Sequence, residues 1–336
     1  MSDPQHRSLT PSHAGPLDLP VAPRNHGMPL ELEWIREVRI NRSAVERRAA
    51  TLRTRRTVKK EWQAAWLLRA MTLMDLTSLS GDDTPGRVRR LCAKARRPVR
   101  AELLNEMGAG QLPIKVAAVC VYHTFVGTAL EALQGSGIPV AAVSTGFPAG
   151  LSPFEQRIAE IRASVKDGAE EIDVVITRSH VLTENWPALY DEVRLMREAC
   201  GDAHIKTILA TGELGTLRNV ARAALVCMMA GADFVKTSTG KESVNATLPV
   251  GLVMARAIRE YWERTGQLIG LKAAGGIRTA REALDWLALV KDELGDVWLR
   301  PHLFRFGASA LLMDIERQLE HFVTGRYSAA HRHPTA

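Results

Sequence analysis

Short apolar runs rich in β-branched residues alternate with amphipathic stretches over most of this chain. From Leu73 onward each run is followed by Gly, Pro, Ser or Thr and then by a segment of helical periodicity, such as Phe154–Asp167 or Ala280–Val290. The pattern predicts these strands: Leu73–Thr77, Lys115–Tyr122, Val140–Gly146, Glu171–Ile176, His204–Ala210, Asp233–Thr237, Ile269–Ala273 and Leu303–Gly307. Repeated βα alternation is typical of a parallel sheet covered by helices. Eight such units predict an α/β fold of the closed (β/α)8, or TIM, barrel type rather than an open doubly wound sheet.

The regions outside the barrel have a different character. The N-terminus is rich in Pro and His, and the stretch after it has helical periodicity with Trp34, Trp62 and Trp66 available to dock on a core. The pattern therefore predicts a disordered segment over 1–28 and a helical N-terminal extension packed on the barrel over 29–70. The barrel itself is expected over 71–322 and a flexible C-terminal tail over 323–336.

Composition places the chain among soluble proteins. It has 336 residues, 46% of them hydrophobic, and no apolar run approaches the roughly 20 residues of a membrane span. The N-terminus lacks the apolar core of a secretory signal, so we expect a cytoplasmic protein without membrane contact. The four cysteines form no C-x-x-C pair and the histidines are scattered, which indicates neither a disulfide framework nor a metal site.

Positive charge is concentrated near the N-terminus. The net charge is +7, and residues 36–60 carry ten Arg or Lys against two Glu, while residues 87–100 carry seven and no acid. Such segments can bind nucleic acid or an acidic partner. The first segment is interleaved with apolar residues at helical spacing and neither contains aromatic residues for base stacking, so we favour a solvated helix face.

Three charged residues interrupt or end predicted strands. They are Asp173 in EIDVVI, Lys236 in DFVKTSTG and Lys272 in GLKAAGG. A buried charge costs free energy unless it is paired or functional, so a structural ion pair explains any one of them. Residues at the C-terminal ends of barrel strands converge on one face, which favours a common site.

The chemistry of this cluster favours amine catalysis. A lysine amine is nucleophilic only when neutral, and both burial and a second nearby cation favour the neutral form. We therefore expect Lys236 to form a Schiff base with an aldehyde, and Asp173 to exchange protons with a substrate hydroxyl.

Two glycine-rich turns predict a phosphate site beside the lysines. The segments Gly275–Thr279 and Gly307–Ser309 each precede a predicted helix, and the loops after strands 7 and 8 of such barrels often bind phosphate. Free N–H groups and the helix dipole favour an anion there. A structural turn is the alternative for either segment alone.

A family resemblance becomes visible at these residues. The motifs that carry it are MDLTSLSGDDT (74–84), AAVCVY (117–122), GFPAG (146–150), GAEEIDVVI (168–176), KTILATGEL (206–214), GADFVKTSTGK (231–241), LKAAGGIRT (271–279) and FRFGAS (304–309). In this order, over about three quarters of the chain, the sequence resembles the deoxyribose-phosphate aldolase (DeoC) family of class I aldolases, in the longer form known from animals.

The resemblance implies a lyase that reversibly cleaves 2-deoxy-D-ribose 5-phosphate to D-glyceraldehyde 3-phosphate and acetaldehyde, in deoxyribonucleoside catabolism and without a metal or other cofactor. It implies that Lys236 is the Schiff-base lysine, and that Asp173 and Lys272 form its proton relay. The residues implied to line the substrate are Asp75, Thr77, Cys120 and Thr239. Those implied to bind its phosphate are Gly240, Lys241, Gly275, Gly276, Arg278, Gly307 and Ser309. The phosphorylated sugar is then the expected partner, and a homo-oligomer is left open.

Three positions depart from the family pattern. His123 and Ala273 stand where Pro is common, and Ala310 replaces a second serine. Two alternatives also stay open. One is another lysine-dependent barrel aldolase with a different aldehyde or phosphosugar. The other is a binding protein that uses the basic segments on nucleic acid or an acidic partner, with salt-dependent affinity.

Overall fold

The computed structural model describes residues 24–55, 58–329 and 332–333, and its parallel strands close into a barrel. The strands are β1 (Met74–Thr77), β2 (Ala118–Tyr122), β3 (Val140–Ser144), β4 (Glu171–Val175), β5 (His204–Ile208), β6 (Phe234–Lys236), β7 (Gly270–Ala274) and β8 (Phe304–Ala308). They are ordered β1 to β8 around the ring, and β8 pairs with β1 through partners such as Asp75 and Gly307. The predicted (β/α)8 barrel is confirmed, and each predicted strand is present with shorter or shifted ends.

The helices cover the outside of this ring. Within the described residues they are α1 (Leu32–Glu37), α2 (Arg42–Arg55), α3 (Lys60–Thr72), α4 (Pro85–Arg96), α5 (Ala101–Glu106), α6 (Val126–Leu133), α7 (Phe154–Lys166), α8 (Arg178–Leu182), α9 (Trp186–Cys200), α10 (Leu217–Met229), α11 (Leu248–Thr265), α12 (Ala280–Leu294) and α13 (Ala310–Thr324). Short 3-10 helices span His123–Phe125, Thr211–Glu213 and Asp296–Trp298. None of these helices combines the length and apolar character that a membrane crossing requires.

Local sequence explains where the major helices begin. The N-cap residues Thr84, Thr216 and Thr247 each accept a hydrogen bond from the backbone N–H three residues on, which satisfies one free donor of the helix end. Thr279 and Glu282 form a reciprocal capping box at the start of α12. These caps fix the turns that follow the strands and so position the loops at the C-terminal face of the barrel.

The N-terminal helices pack on one side of the barrel. Helix α2 contacts α11 and α12, and α3 contacts α12 and α13. Trp34 in α1 is 3% exposed and its indole N–H donates to Glu260. The docking expected of Trp62 was wrong, because this side chain is 75% exposed. The buried face of α3 is formed by residues at helical spacing from Ala64 to Met71, and Trp62 precedes it in the first turn.

Two segments near the ends of the described chain pack on the barrel, although the sequence predicted them to be disordered or flexible. The prediction of disorder was wrong for residues 24–28, since the Asn25 side chain is buried and donates to the carbonyl oxygens of Met228 and Ala232. Helix α13 continues to Thr324, and His333 in the tail predicted to be flexible is 1% exposed. A polar side chain that satisfies buried backbone groups can dock a segment that lacks an apolar pattern. Residues 1–23, 330–331 and 334–336 lie outside the described residues.

Ion pairs account for several charges of the basic segments. Arg48 in α2 contacts Glu293 in α12 at 3.3 Å, and Arg53 contacts Asp285 at 3.6 Å. In the second segment Lys94 contacts Glu316 of α13 at 2.5 Å. These basic side chains therefore brace helices that are distant in sequence.

Candidate active site

The polar residues singled out by the sequence come together inside the barrel. Lys236 is the last residue of β6, and the ladder sets it beside Lys272 of β7. Asp173 of β4 is in register with Lys206 of β5. All four side chains are at most 3% exposed. Parallel strands in register thus bring charges that are far apart in sequence to one level of the barrel.

One carboxylate joins the two lysines. Oδ2 of Asp173 accepts a hydrogen bond from Nζ of Lys236 at 2.8 Å and another from Nζ of Lys272 at 2.7 Å. Oδ1 of Asp173 accepts from Nζ of Lys206 at 2.9 Å. A single oxygen atom shared by two amines gives a short route for proton exchange between them.

The charges continue across the barrel interior in a connected set. Lys206 donates to Glu171 at 2.5 Å, and Glu171 accepts from Arg305 at 2.8 Å. Arg305 also donates to Oδ1 of Asp75, whose Oδ2 lies 2.6 Å from Nζ of Lys272. We call this set the barrel ion network: Asp75, Glu171, Asp173, Lys206, Lys236, Lys272 and Arg305. The sequence interpretation missed Lys206, Glu171 and Arg305, although each is a charge inside a buried strand and the same criterion identifies them.

The network contains one more cation than it has carboxylates. Three carboxylates face four basic side chains, so the charges balance when one base is neutral. An unbalanced charge is costly in the interior. Burial works against the charge on every base, but neighbouring carboxylates raise the pKa of Lys206, Lys272 and Arg305. For Lys236 burial and the Lys272 ammonium outweigh the attraction of Asp173 and lower the pKa. Lys236 is therefore the amine that becomes neutral first.

Asp173 stays ionised despite its burial. Burial favours the protonated acid, but the ammonium groups of Lys206, Lys236 and Lys272 hold the pKa of Asp173 well below its usual range. The carboxylate can thus accept hydrogen bonds from both neighbouring amines at neutral pH.

The side of the barrel formed by β2 and β3 is apolar. Cys120 of β2 is buried in a cluster with Ala141 and Val143 of β3. Burial raises the pKa of the Cys120 thiol, so this group is a neutral neighbour of the lysines rather than a nucleophile. The ring of Phe147 lies 6.0 Å from Nζ of Lys236. Burial against this apolar side of the barrel lowers the pKa of Lys236, although the face of the Phe147 ring itself attracts a cation.

A pocket of about 280 Å³ opens above Lys236. Among the residues named from the sequence, it is lined by Thr77, Lys236, Thr239, Gly240, Lys241, Gly275, Gly276, Arg278, Gly307 and Ser309. Asp75, Cys120, Asp173 and Lys272 lie outside this lining. A larger cavity of about 1000 Å³, between α2, α3 and α12, contains none of the charged strand residues. The smaller pocket therefore brings together Lys236 and the loops predicted to bind phosphate.

Close approach of two loops requires glycine at the rim of this pocket. Gly275 has φ of +78°, and a Cβ atom there would lie 2.8 Å from the side chain of Asn245. A Cβ atom on Gly240, whose φ is +86°, would lie 3.8 Å from the Cα atom of Gly275. Gly275 is therefore required by both its backbone conformation and the space, whereas Gly240 is required by its backbone conformation alone.

The three departures from the family pattern lie in different surroundings. His123 faces α7, with Nδ1 3.2 Å from Oγ of Ser164. Ala273 is buried in β7, and Ala310 begins α13 and lines the pocket. Of the three, Ala310 is the one in direct contact with the candidate site. Within the described part of the chain, no group of three or more His, Cys, Asp or Glu side chains is arranged to hold a metal ion.

Comparison with known proteins decides the family. Residues 69–314 match the model of the DeoC/LacD family aldolases. The chain belongs to this family. The human deoxyribose-phosphate aldolase is 59% identical over 316 residues, which cover 94% of this chain and 99% of the human one. The mouse deoxyribose-phosphate aldolase is 60% identical with the same coverage. A solved Toxoplasma gondii structure, 25% identical, superposes with a TM-score of 0.65 and covers 77% of this chain and 98% of its own.

Proposed function

We propose that this protein is a deoxyribose-phosphate aldolase that cleaves 2-deoxy-D-ribose 5-phosphate through a Schiff base on Lys236. The observation that carries the proposal is the buried amine of Lys236, which shares Oδ2 of Asp173 with Lys272 at the base of a glycine-rimmed pocket. The lowered pKa of Lys236 favours the neutral, nucleophilic form of the amine. The names of the human and mouse relatives support the choice of substrate.

The reaction begins with attack of Nζ of Lys236 on the C1 aldehyde of the open-chain sugar. The resulting carbinolamine loses its hydroxyl as water and becomes an iminium ion. Lys272, whose pKa is raised, is the proton donor for the departing hydroxyl, and Asp173 links it to the reacting nitrogen. The iminium then acts as an electron sink for the next step.

Cleavage follows when a base removes the proton of the C3 hydroxyl. The C2–C3 bond breaks, its electron pair forms an enamine with C1 and the lysine nitrogen, and D-glyceraldehyde 3-phosphate leaves. A proton added at C2 restores the iminium, and water then releases acetaldehyde and the free amine of Lys236. Asp173 and Lys272 supply and accept these protons, directly or through one water molecule.

The other end of the pocket suits the 5-phosphate. Backbone N–H groups of glycine turns and the N-termini of α12 and α13 favour an anion, and Lys241 and Arg278 add positive charge. This end anchors the substrate so that C1 lies at Lys236. A cytoplasmic location stays a prediction of the sequence, and the sequence leaves a homo-oligomer open.

Trapping of the covalent intermediate tests the proposal. Incubation with acetaldehyde and a borohydride reductant should attach one reduced two-carbon unit, and peptide mapping should place it on Lys236. The Lys236→Ala variant should take up no adduct and should lose cleavage of 2-deoxy-D-ribose 5-phosphate. An adduct on another lysine, or full cleavage by Lys236→Ala, contradicts the proposal.

A substrate panel separates this enzyme from other lysine-dependent barrel aldolases. We expect 2-deoxy-D-ribose 5-phosphate to be cleaved with the highest kcat/KM, and cleavage to continue in the presence of a metal chelator. A higher kcat/KM for a different phosphosugar would contradict the proposed substrate but not the proposed Schiff-base mechanism.

A further inference from the structure

Glu242 places a carboxylate on backbone donors of the loop that follows β6. One oxygen accepts a hydrogen bond from N–H of Thr239 at 3.0 Å, and the other accepts from N–H of Gly240 at 3.2 Å. The same carboxylate accepts from Oγ1 of Thr239 at 2.8 Å. Thr239 and Gly240 both line the pocket above Lys236. An internal anion therefore holds donors in the very loop where the 5-phosphate is proposed to bind.

Capping of a helix does not explain this arrangement. The same Thr-x-x-Glu spacing occurs at Thr279 and Glu282, where the carboxylate caps the first turn of α12. No helix starts at Glu242 in the described chain, since α11 begins only at Leu248. Glu242 is also half-buried rather than enclosed, so its side chain has solvent on one side into which it can turn.

We propose that Glu242 is a specificity-determining residue that holds the N–H groups of Thr239 and Gly240 until the phosphate of the substrate replaces it. This inference rests on the proposed function. A phosphate monoester carries about −1.5 to −2 charge at neutral pH and offers three acceptor oxygens, so it is the stronger competitor for the same donors. A sugar without phosphate brings no anion and leaves Glu242 in place.

Replacement of the Glu242 carboxylate by phosphate costs free energy, and a variant without this negative charge avoids that cost. The displaced carboxylate stays near the phosphate and repels it, which weakens binding of phosphorylated ligands. The Glu242→Gln variant keeps an amide oxygen to accept from the loop N–H groups but carries no charge. Glu213→Gln is a matched control, because Glu213 follows β5 at the same face of the barrel, pairs with Arg178 and makes none of these loop contacts.

Inorganic phosphate is the probe, with binding measured by the shift in melting temperature and by competitive inhibition. Glu242→Gln should bind phosphate at least roughly fivefold more tightly than the unmodified protein, the factor expected when the repulsion between two unit charges near 4 Å in water is removed. Its KM for 2-deoxy-D-ribose 5-phosphate should fall by a similar factor, while KM for unphosphorylated 2-deoxyribose should not change. Glu213→Gln should behave like the unmodified protein in each assay.

Two results would overturn the inference. One is equal or weaker phosphate binding by Glu242→Gln, which would mean that the carboxylate only braces the loop. The other is an equal gain in Glu213→Gln, which would mean that any lost negative charge at this face has the same effect. Failure of the protein to cleave the sugar would contradict the proposed function. The melting-temperature assay needs no turnover, so it would still test the role of Glu242 in that case.

Discussion

At the scale of single residues, the surplus of one cation in the barrel ion network selects the reactive amine. Lys206 and Arg305 lie away from the pocket, yet they neutralise Glu171 and Asp75, which would otherwise attract a proton to the lysines. Lys272 retains its proton between Asp173 and Asp75. The charge state of Lys236 thus depends on groups that never meet the substrate.

Removal of a distant cation should therefore change the pH dependence of the reaction. In Arg305→Met three carboxylates face three lysines, so the network is balanced only with Lys236 protonated, and the pKa of Lys236 should rise. The neutral amine then forms at higher pH, and the acidic limb of the profile of kcat/KM against pH should move up by about one unit.

Lys291→Met is the control for this experiment. Lys291 pairs with Asp296 at the protein surface, outside the barrel. Its loss should leave the acidic limb where it is. If the acidic limb of the kcat/KM profile is at the same pH in folded Arg305→Met as in the unmodified protein, charge balance does not set the pKa of Lys236.

Sequence alone predicts these residues unevenly. Asp173, Lys236 and Lys272 stand out because a charge in an apolar strand is conspicuous and because family motifs surround them. Lys206, Glu171 and Arg305 carry the same signal and lie within the motifs KTILATGEL, GAEEIDVVI and FRFGAS, so the sequence could have identified them too. The contact of Glu242 with the loop could not be predicted, since Thr-x-x-Glu spacing normally indicates a helix cap and the turn here depends on the loop after β7.

At the scale of elements, the N-terminal helices show how far periodicity predicts packing. It predicts helices over 29–70, and the structure has α1, α2 and α3 there. It does not tell which tryptophan is buried, because a helix face becomes interior only when a partner surface exists. Trp34 stacks on Tyr261 of α11 with ring centroids 6.1 Å apart, whereas Trp62 is exposed.

The two tryptophans form a matched pair for a stability test. Trp34→Ala removes a buried ring and its hydrogen bond to Glu260, and should lower the free energy of unfolding by about 3–5 kcal/mol. Trp62→Ala removes an exposed ring and should change it by about 0.5 kcal/mol or less. Denaturant titration measures both values, and equal losses would contradict the assigned positions.

At the scale of the whole molecule, the closed barrel has no free strand edge, so a side chain that is too large cannot be accommodated by moving an edge strand outward. Gly270 of β7 pairs in register with Phe234 of β6, and a Cβ atom on Gly270 would overlap the ring of Phe234. The guanidinium of Arg305 lies 5.7 Å from the centroid of the same ring. A displacement of the Phe234 ring would therefore change both the spacing of β6 and β7 and the position of Arg305 in the barrel ion network.

Gly270→Ala should accordingly destabilise the protein by about 1–3 kcal/mol, the cost of overpacking a buried site. Gly127→Ala is the counterpart, because Gly127 is exposed in α6 and a Cβ atom there meets nothing within 4 Å. This second variant should be stabilised by about 0.5–1 kcal/mol through its helix propensity. Calorimetric melting compares the two, and a gain in both would reject the packing argument.

The barrel ion network also constrains how this sequence can change over generations. Its members lie on six strands, so mutation of one charged position changes the charge balance around buried partners that are distant in sequence. Loss of Arg305 removes a partner of both Asp75 and Glu171, so the effect of a later change at either carboxylate depends on whether Arg305 is present. Positions 171 and 305, which lie far apart in sequence, are therefore coupled in the substitutions that they tolerate.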